Sequence, residues 1–347
     1  MGPRKQGPPP LRKMMLPALF VGGLFYVTFT RTPEVPPQAV LNGEALGTTW
    51  TLKLTGTPDE ARQVALRAVV DGALAEVDQS MSTYRDDSEL MAINAADGLS
   101  PLSLSPMLGR VLGEALDVGV ASSGAFDVTV GPLVNAFGFG PDKRRIAPEA
   151  SVLEALAPRV GQDKLELTAE GLTKAHPEVF IDLSAIAKGY AVDLVVERLE
   201  AEGEKNLLME VGGEIVARGV NHSGEPWRLG IERPSETLRT VHEVVVLKDA
   251  AMATSGDYRQ YYEVDGQRVS HLIDPRTAEP VTHTLASVTV IAARCATADA
   301  WATALSILGP DEGFSRAESM RIPAYFIVRT EDGDFESRST TAFQALN

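Results

Sequence analysis

LLMEVGGEIVARGV, Leu207 to Val220, turns back on itself at Gly212-Gly213. Two apolar runs meet at a glycine pair, which accepts the positive φ angles of a two-residue hairpin turn, so the flanking strands lie antiparallel. Further strands surround this hairpin: WRLGIERP (Trp227 to Pro234), EVVVLKD (Glu243 to Asp249) and SVTVIAA (Ser287 to Ala293). PAYFIVRT (Pro323 to Thr330) and a strand around Phe335 flank the turn residues Glu331, Asp332 and Gly333, a last hairpin. Upstream, GTTWTLKL (Gly47 to Leu54) alternates like a half-buried strand.

Helices are spaced between these strands. Apolar residues at helical spacing predict helices over Asp59 to Val77 and Ser105 to Val120, with a short one over Ala147 to Leu156. Glu178 to Ile181 reads as a strand leading into a helix from Asp182 to about Gly203, and Ala298 to Leu308 as another helix. Strands outnumber crossover helices, so the expected fold class is α+β, with mixed or antiparallel sheets and packed helices in a single two-lobed catalytic unit.

The chain has 347 residues, 44% hydrophobic and 23% charged, enough for a full core. Its net charge of −15 argues against a nucleic-acid partner, which would demand a basic face. If the ligand is anionic, such an acidic protein needs a local cation, a helix N-terminus or a metal to hold it. There is one cysteine, Cys295, and no Cys/His cluster of zinc type. Neither a GxGxxG nor a P-loop motif is present.

Residues 1–30 carry Arg4, Lys5, Arg12 and Lys13 before an apolar run from Met14 to Phe29, the pattern of an export signal. No small-residue cleavage site and no cysteine follow, so an uncleaved signal anchor is expected. The basic residues before the run put the catalytic part outside, on the periplasmic face of the inner membrane. Residues 31–42, with Pro33, Pro36 and Pro37, read as an extended tether, and 43–347 as the catalytic domain.

Four short segments carry chemistry: DLSAIAKG (Asp182 to Gly189), SHLIDP (Ser270 to Pro275), ADAWAT (Ala298 to Thr303) and GAFDVTVGPLV (Gly124 to Val134). Asp182 at a strand-to-helix junction reads as an N-cap or as part of a phosphate site, with small neighbours and Lys188 nearby. Asp299 and Thr303, four apart on one helix face, suit either two oxygen ligands of one Mg²⁺ or a cap plus a threonine bonded to its own helix. A lone histidine is more often structural than catalytic, yet His271 could take a proton from a hydroxyl near neutral pH. Tyr84, closing MSTY, reads from the residues alone as a core ring.

Taken in order, these segments resemble the ApbE-type FAD:protein FMN transferases, a family once described as thiamine-biosynthesis lipoproteins. The resemblance runs from about Gly43 to the last strand. It implies a Mg²⁺-dependent enzyme that uses FAD as substrate, moves FMN onto a threonine of a target protein and releases AMP. The targets implied are membrane redox subunits with a short Ser/Thr-containing motif. It further implies catalytic roles for His271 and Asp274, and a metal site at Asp299, Thr303 and the Ala185 backbone oxygen. FAD contacts are implied at Leu46, Tyr84, Ala125, Phe126, Asp127, Asp182, Lys188, His271 and Leu272. TSGDYR (Thr254 to Arg259) is a further shared segment, expected in the pocket wall. Three positions depart from the pattern: Leu46 where methionine is common, Phe137 for tryptophan, and Ala278 for glycine. Two alternatives stay open, a Mg²⁺-dependent FAD pyrophosphatase that uses water as acceptor and a non-catalytic periplasmic flavin-binding protein.

Overall fold

The computed structural model describes residues 37–140, 147–235, 240–257, 260–264 and 267–346. The expected signal anchor, the first half of the tether (residues 31–36), and Tyr258 and Arg259 of the TSGDYR segment lie outside the described residues. Gln38–Asn347 is one compact unit. Its first strand already takes in residues 38–42, which the sequence assigned to the tether. Among the described residues no helix is long and apolar enough to cross a membrane.

Eight strands form the central sheet: β1 (Gln38–Ala45), β2 (Thr48–Thr55), β3 (Leu207–Val211), β4 (Glu214–Arg218), β5 (Ala250–Gly256), β6 (Leu285–Ala292), β7 (Ala324–Arg329) and β8 (Phe335–Ser339). Their order across the sheet is their order along the chain, and every neighbouring pair is antiparallel. The Gly212-Gly213 turn joins β3 to β4 with both residues at positive φ, as the glycine pair predicts. Alternation gives the sheet two buried faces. Trp50, Leu52, Leu54, Met209 and Val216 belong to the larger core, and Leu208, Ala217, Met252 and Ile327 to the smaller one. A hairpin of Trp227–Glu232 and Val241–Leu247 contributes Trp227, Ile231, Val245 and Leu247 to that smaller core.

Helices cover the sheet. In chain order they are α1 (Glu60–Met81), α2 (Glu89–Ala95), α3 (Pro106–Ala121), α4 (Gly131–Ala136), α5 (Ala150–Leu156), α6 (Ala187–Ala201), α7 (Cys295–Met320) and α8 (Thr341–Gln344). α1, α2, α3, α6 and α7 supply the larger core, α8 gives Phe343 to the smaller one, and α4 and α5 pack in a separate cluster around Leu133 and Phe137. Asp59 caps α1 and Ser105 caps α3, each accepting an N–H from the third residue on. α6 packs against α1 and α7. α7 breaks at Gly309, whose φ of 81° and ψ of −173° end one helix before Pro310 opens the next. That break sits where the sequence places the end of its helix, at Leu308.

Two helix starts differ from expectation. The segment at 178–181 is not a ladder strand. Ile181 instead exchanges two hydrogen bonds with the Asn94 side chain, accepting from Nδ2 at 2.9 Å and donating to Oδ1 at 2.8 Å. The helix expected from Asp182 begins five residues later, at Ala187, after a turn. α7 begins at Cys295, three residues before the expected start, because Asp193 of α6 caps it from another element. The Asp193 carboxylate accepts the N–H groups of Cys295 and Ala296 at 2.8 and 3.0 Å.

Candidate functional site

The first turns of α6 and α7 touch. A Cβ on Gly189 would stand 2.4 Å from the Cys295 carbonyl oxygen, so only glycine lets the two backbones meet here. At this contact Gly189 donates its N–H to Asp299 Oδ2 at 3.0 Å. In an uninterrupted helix that N–H would go to the Ala185 carbonyl. Asp299 takes it instead, and the Ala185 oxygen accepts no hydrogen bond among the described residues. Asp299 is 5% exposed and, among the described residues, accepts through Oδ2 with Oδ1 open. Thr303 lies half-buried one turn further along α7, its hydroxyl in no hydrogen bond among the described residues. These donors fit a hard divalent cation such as Mg²⁺, which takes oxygen ligands and keeps room for water and phosphate oxygens. Among the described residues no three His, Cys, Asp or Glu side chains gather as a metal centre.

Lys188 faces two acids at the same place. Its Nζ is 2.7 Å from Glu214 Oε1 and 3.8 Å from Asp299 Oδ2. Burial works against the ammonium, yet Asp299 and then Glu214 hold its pKa above the ordinary lysine value. Burial raises the Asp299 pKa and pushes that of Glu214 up to about 7, with Lys188 opposing both shifts. Glu214 was missed from sequence. Its signal was the alternation of β4, where it shares the core face with buried Val216, a position that normally takes an apolar residue.

The GAFDVTV segment joins this cluster through backbone. Asp182 N–H donates to the Val128 carbonyl at 2.7 Å, and a Cβ on Gly131 would lie 3.2 Å from the Asp182 Cβ. Asp182 does not cap a helix. Its Oδ1 accepts from the N–H and hydroxyl of Ser184, at 2.8 and 2.5 Å, and sets the turn before α6. Ala125 and Phe126 are buried in the larger core, so their side chains pack and do not line a pocket. Asp127 is also buried, its oxygens taken by Thr129 and the Gln162 N–H. Any ligand contact from residues 125–127 therefore falls to their backbone.

Leu46 and Tyr84 both lie toward the C-terminal end of α1, Leu46 on a cleft with Leu74, Ala75 and Asp78 and Tyr84 three residues past Met81. Leu46 occupies the β1–β2 turn at φ 52°, half-buried, and borders a cleft of about 410 Å³ shared with Arg67, Asp71 and Asp78. Tyr84 is 71% exposed, which removes the core-ring alternative and leaves an aromatic face free to stack. A larger cleft of about 720 Å³ contains none of the expected residues. Glu76, Asp87 and Glu89 line it, and such an acidic wall repels a pyrophosphate.

His271 belongs to a separate segment, between a short hairpin (Tyr261–Val264 and Gln267–Ser270) and a second one (Ile273–Asp274 and Glu279–Pro280). Its Nδ1 lies 3.0 Å from the Gln260 carbonyl oxygen. A carbonyl only accepts, so Nδ1 carries the proton and Nε2 keeps a lone pair. Burial lowers the pKa of the ring, with the Gln260 contact opposing, so it is neutral at physiological pH. Phe139 packs edge-on to it, ring centroids 6.1 Å apart. Asp274 does not orient this histidine. Arg276 covers both of its oxygens, at 2.9 and 2.7 Å, and the Asp274 carbonyl accepts the Ala278 N–H at 2.8 Å. Ala278 sits at φ 58°, the left-handed conformation that a glycine would adopt freely. Leu272 is buried in the larger core, its carbonyl bonded to the Val281 N–H. Among the described residues no hydrogen bond or ion pair joins His271 to the Asp299 cluster.

Residues 46–326 match the model of the ApbE family. An FAD:protein FMN transferase of Vibrio cholerae is 42% identical over 313 residues, which are 90% of this chain and 93% of that protein. The protein of the same name from Escherichia coli K12 is 37% identical over 327 residues, 91% and 92% of the two chains. Among solved structures, the flavin transferase ApbE from Vibrio cholerae superposes with a TM-score of 0.82 at 40% identity, covering 90% of this chain and 99% of that one. The apo form of the Pseudomonas stutzeri flavinyl transferase ApbE gives 0.82 at 38% identity, covering 89% and 96%.

Proposed function

This chain belongs to the ApbE family and is a flavin transferase, and we propose that it moves FMN from FAD onto a threonine hydroxyl of a target protein, releasing AMP. The observation that carries the reading is the contact of two helix starts, where Gly189 bonds Asp299 and leaves the Ala185 carbonyl open beside it. Asp299, Thr303 and that carbonyl would hold Mg²⁺. When bound, the ion supplies neutralisation of the pyrophosphate and of the departing AMP phosphate. Lys188 adds a positive charge at the same helix start, and the exposed ring of Tyr84 offers a stacking face for the flavin or the purine.

His271 Nε2 takes the proton of the acceptor hydroxyl as its oxygen attacks the FMN phosphorus. One P–O bond forms to the threonine and one breaks to the AMP oxygen, which leaves with its electron pair. The Gln260 carbonyl keeps the ring in the tautomer this step needs. The acceptors in this reading are membrane redox subunits with a Ser/Thr-containing motif. The chain meets them from an anchor in residues 1–30, with its catalytic part on the periplasmic side.

The test uses the full chain with FAD, MgCl₂ and a candidate membrane redox subunit. Flavin fluorescence should stay on the target in a denaturing gel, with one AMP released per flavin attached. Chelation with EDTA and the substitution His271→Ala should each remove the signal. Steady AMP release with no labelled target would instead assign water as the acceptor.

A further inference from the structure

We propose that Glu214 is a positioning residue for Lys188: it draws the ammonium away from Asp299, so that the Asp299 carboxylate stays open to a divalent cation. The inference rests on the Mg²⁺ reading above.

One lysine sits between two buried acids, and it sits unequally. Lys188 Nζ is in hydrogen-bond contact with Glu214 Oε1 at 2.7 Å, but is 3.8 Å from Asp299 Oδ2. Asp299 Oδ2 is already engaged by the Gly189 N–H, and its Oδ1 is open. Glu214 is 4% exposed, and its second oxygen, Oε2, is buried with no partner. A buried carboxylate with one oxygen unpaired is costly, and at the opening of β4 an apolar residue would pack without that cost. Stability alone does not account for an acid here, whereas holding Lys188 does. The fold sets the distance: Glu214 follows the Gly212-Gly213 turn and pairs with Val211, while Lys188 is in the first turn of α6.

Without the Glu214 charge, Lys188 would have Asp299 as its one acidic partner. The ammonium would then close to hydrogen-bond distance and compete with the cation for the same carboxylate. Closing from 3.8 Å to about 2.8 Å at an effective dielectric of about 20 corresponds to roughly tenfold weaker cation binding.

The experiment is calorimetric titration of MgCl₂ into the metal-stripped full chain with no nucleotide present, so neither turnover nor phosphate binding plays a part. The wild-type chain should bind Mg²⁺. Glu214→Gln should bind it about tenfold more weakly, and Lys188→Met/Glu214→Gln should return to within about twofold of wild type. Lys188→Met alone, which keeps Glu214, should bind at least as tightly as wild type; it decides the matter if circular dichroism shows Glu214→Gln unfolded. Unchanged affinity in Glu214→Gln overturns the proposal. So does a double variant that stays weak, which would make Glu214 itself part of the cation's site, and so does weakened binding in Lys188→Met. A wild-type chain that binds no Mg²⁺ would instead sink the metal reading of the preceding subsection, and this inference with it.

Discussion

Gly189→Ala tests whether the touching helix starts are the core of the site. Gly189 has negative φ in the first turn of α6, so alanine is conformationally allowed. By propensity alone the change would stabilise a helix by up to about 1 kcal/mol. The new Cβ, however, would lie 2.4 Å from the Cys295 oxygen, 2.6 Å from its carbonyl carbon and 2.8 Å from the Ala296 Cα. All three are backbone atoms, so no side chain can swing aside. Relief requires the helices to part by about 1 Å, and overpacking of this kind costs about 1–3 kcal/mol. The net expectation is a loss of about 1–2 kcal/mol, or a fall in Tm of about 1.5–3 °C for a chain this large. The same movement breaks the Gly189–Asp299 bond of 3.0 Å. A displacement of about 1 Å at a reacting centre costs about 100-fold in turnover. The assay is a thermal melt with kcat for FMN transfer. Gly72→Ala serves as the control, since Gly72 is exposed in α1 with nothing within 4 Å of its would-be Cβ. The control should gain up to about 1 kcal/mol. If Gly189→Ala melts at or above the wild-type temperature with kcat within about twofold, the contact does not have the role argued for it.

Ala278→Gly should gain about 0.5–1 kcal/mol, because glycine removes the strain of φ 58° but adds freedom to the unfolded chain; denaturant melts with unchanged kcat would check it. The transfer rate should be flat above neutral pH and fall on the acid side, with a midpoint below the ordinary histidine value, since burial lowers the His271 pKa; a pH profile of kcat reads this directly. The same shift sets a stability trend. The unfolded chain takes up the proton first, so the His271 contribution is whole above the unfolded pKa of about 6.5 and is lost as pH falls below it, a trend that melts of wild type and His271→Ala would separate. Asp299→Asn should cut Mg²⁺-dependent turnover by at least about 100-fold while FAD binding persists, measured by fluorescence quenching of the flavin; wild-type turnover would return Asp299 to a purely structural role.

The strand plan was legible because its signals are local. A glycine pair between apolar runs, alternation in GTTWTLKL and the Glu331 to Gly333 turn each depend on a few adjacent residues, and β2, β3, β4, β7 and β8 lie where those signals put them. The starts of α6 and α7 were not legible, since the groups that set them come from elsewhere in the chain. Asp193, over a hundred residues from Cys295, does for α7 what a local cap normally does. Asn94 holds Ile181 and so delays the helix expected at Asp182.

The same division runs through the site. Asp299, Thr303, Ala185 and Lys188 could be named because motif order marks residue types, and contact between the two helix starts brings Lys188 and Gly189 to Asp299. What a motif does not mark is whether a side chain faces a ligand or the core; the side chains of Ala125, Phe126 and Leu272 are buried in the core. Nor does it mark a partner drawn from outside the motifs. Glu214 lay within the stretch that first revealed the antiparallel plan, hidden by its own usefulness as a turn-flanking residue. Charge arithmetic could have pointed to it: a lysine destined for a buried acidic site in a chain of net charge −15 has to be held in place by an acid of its own.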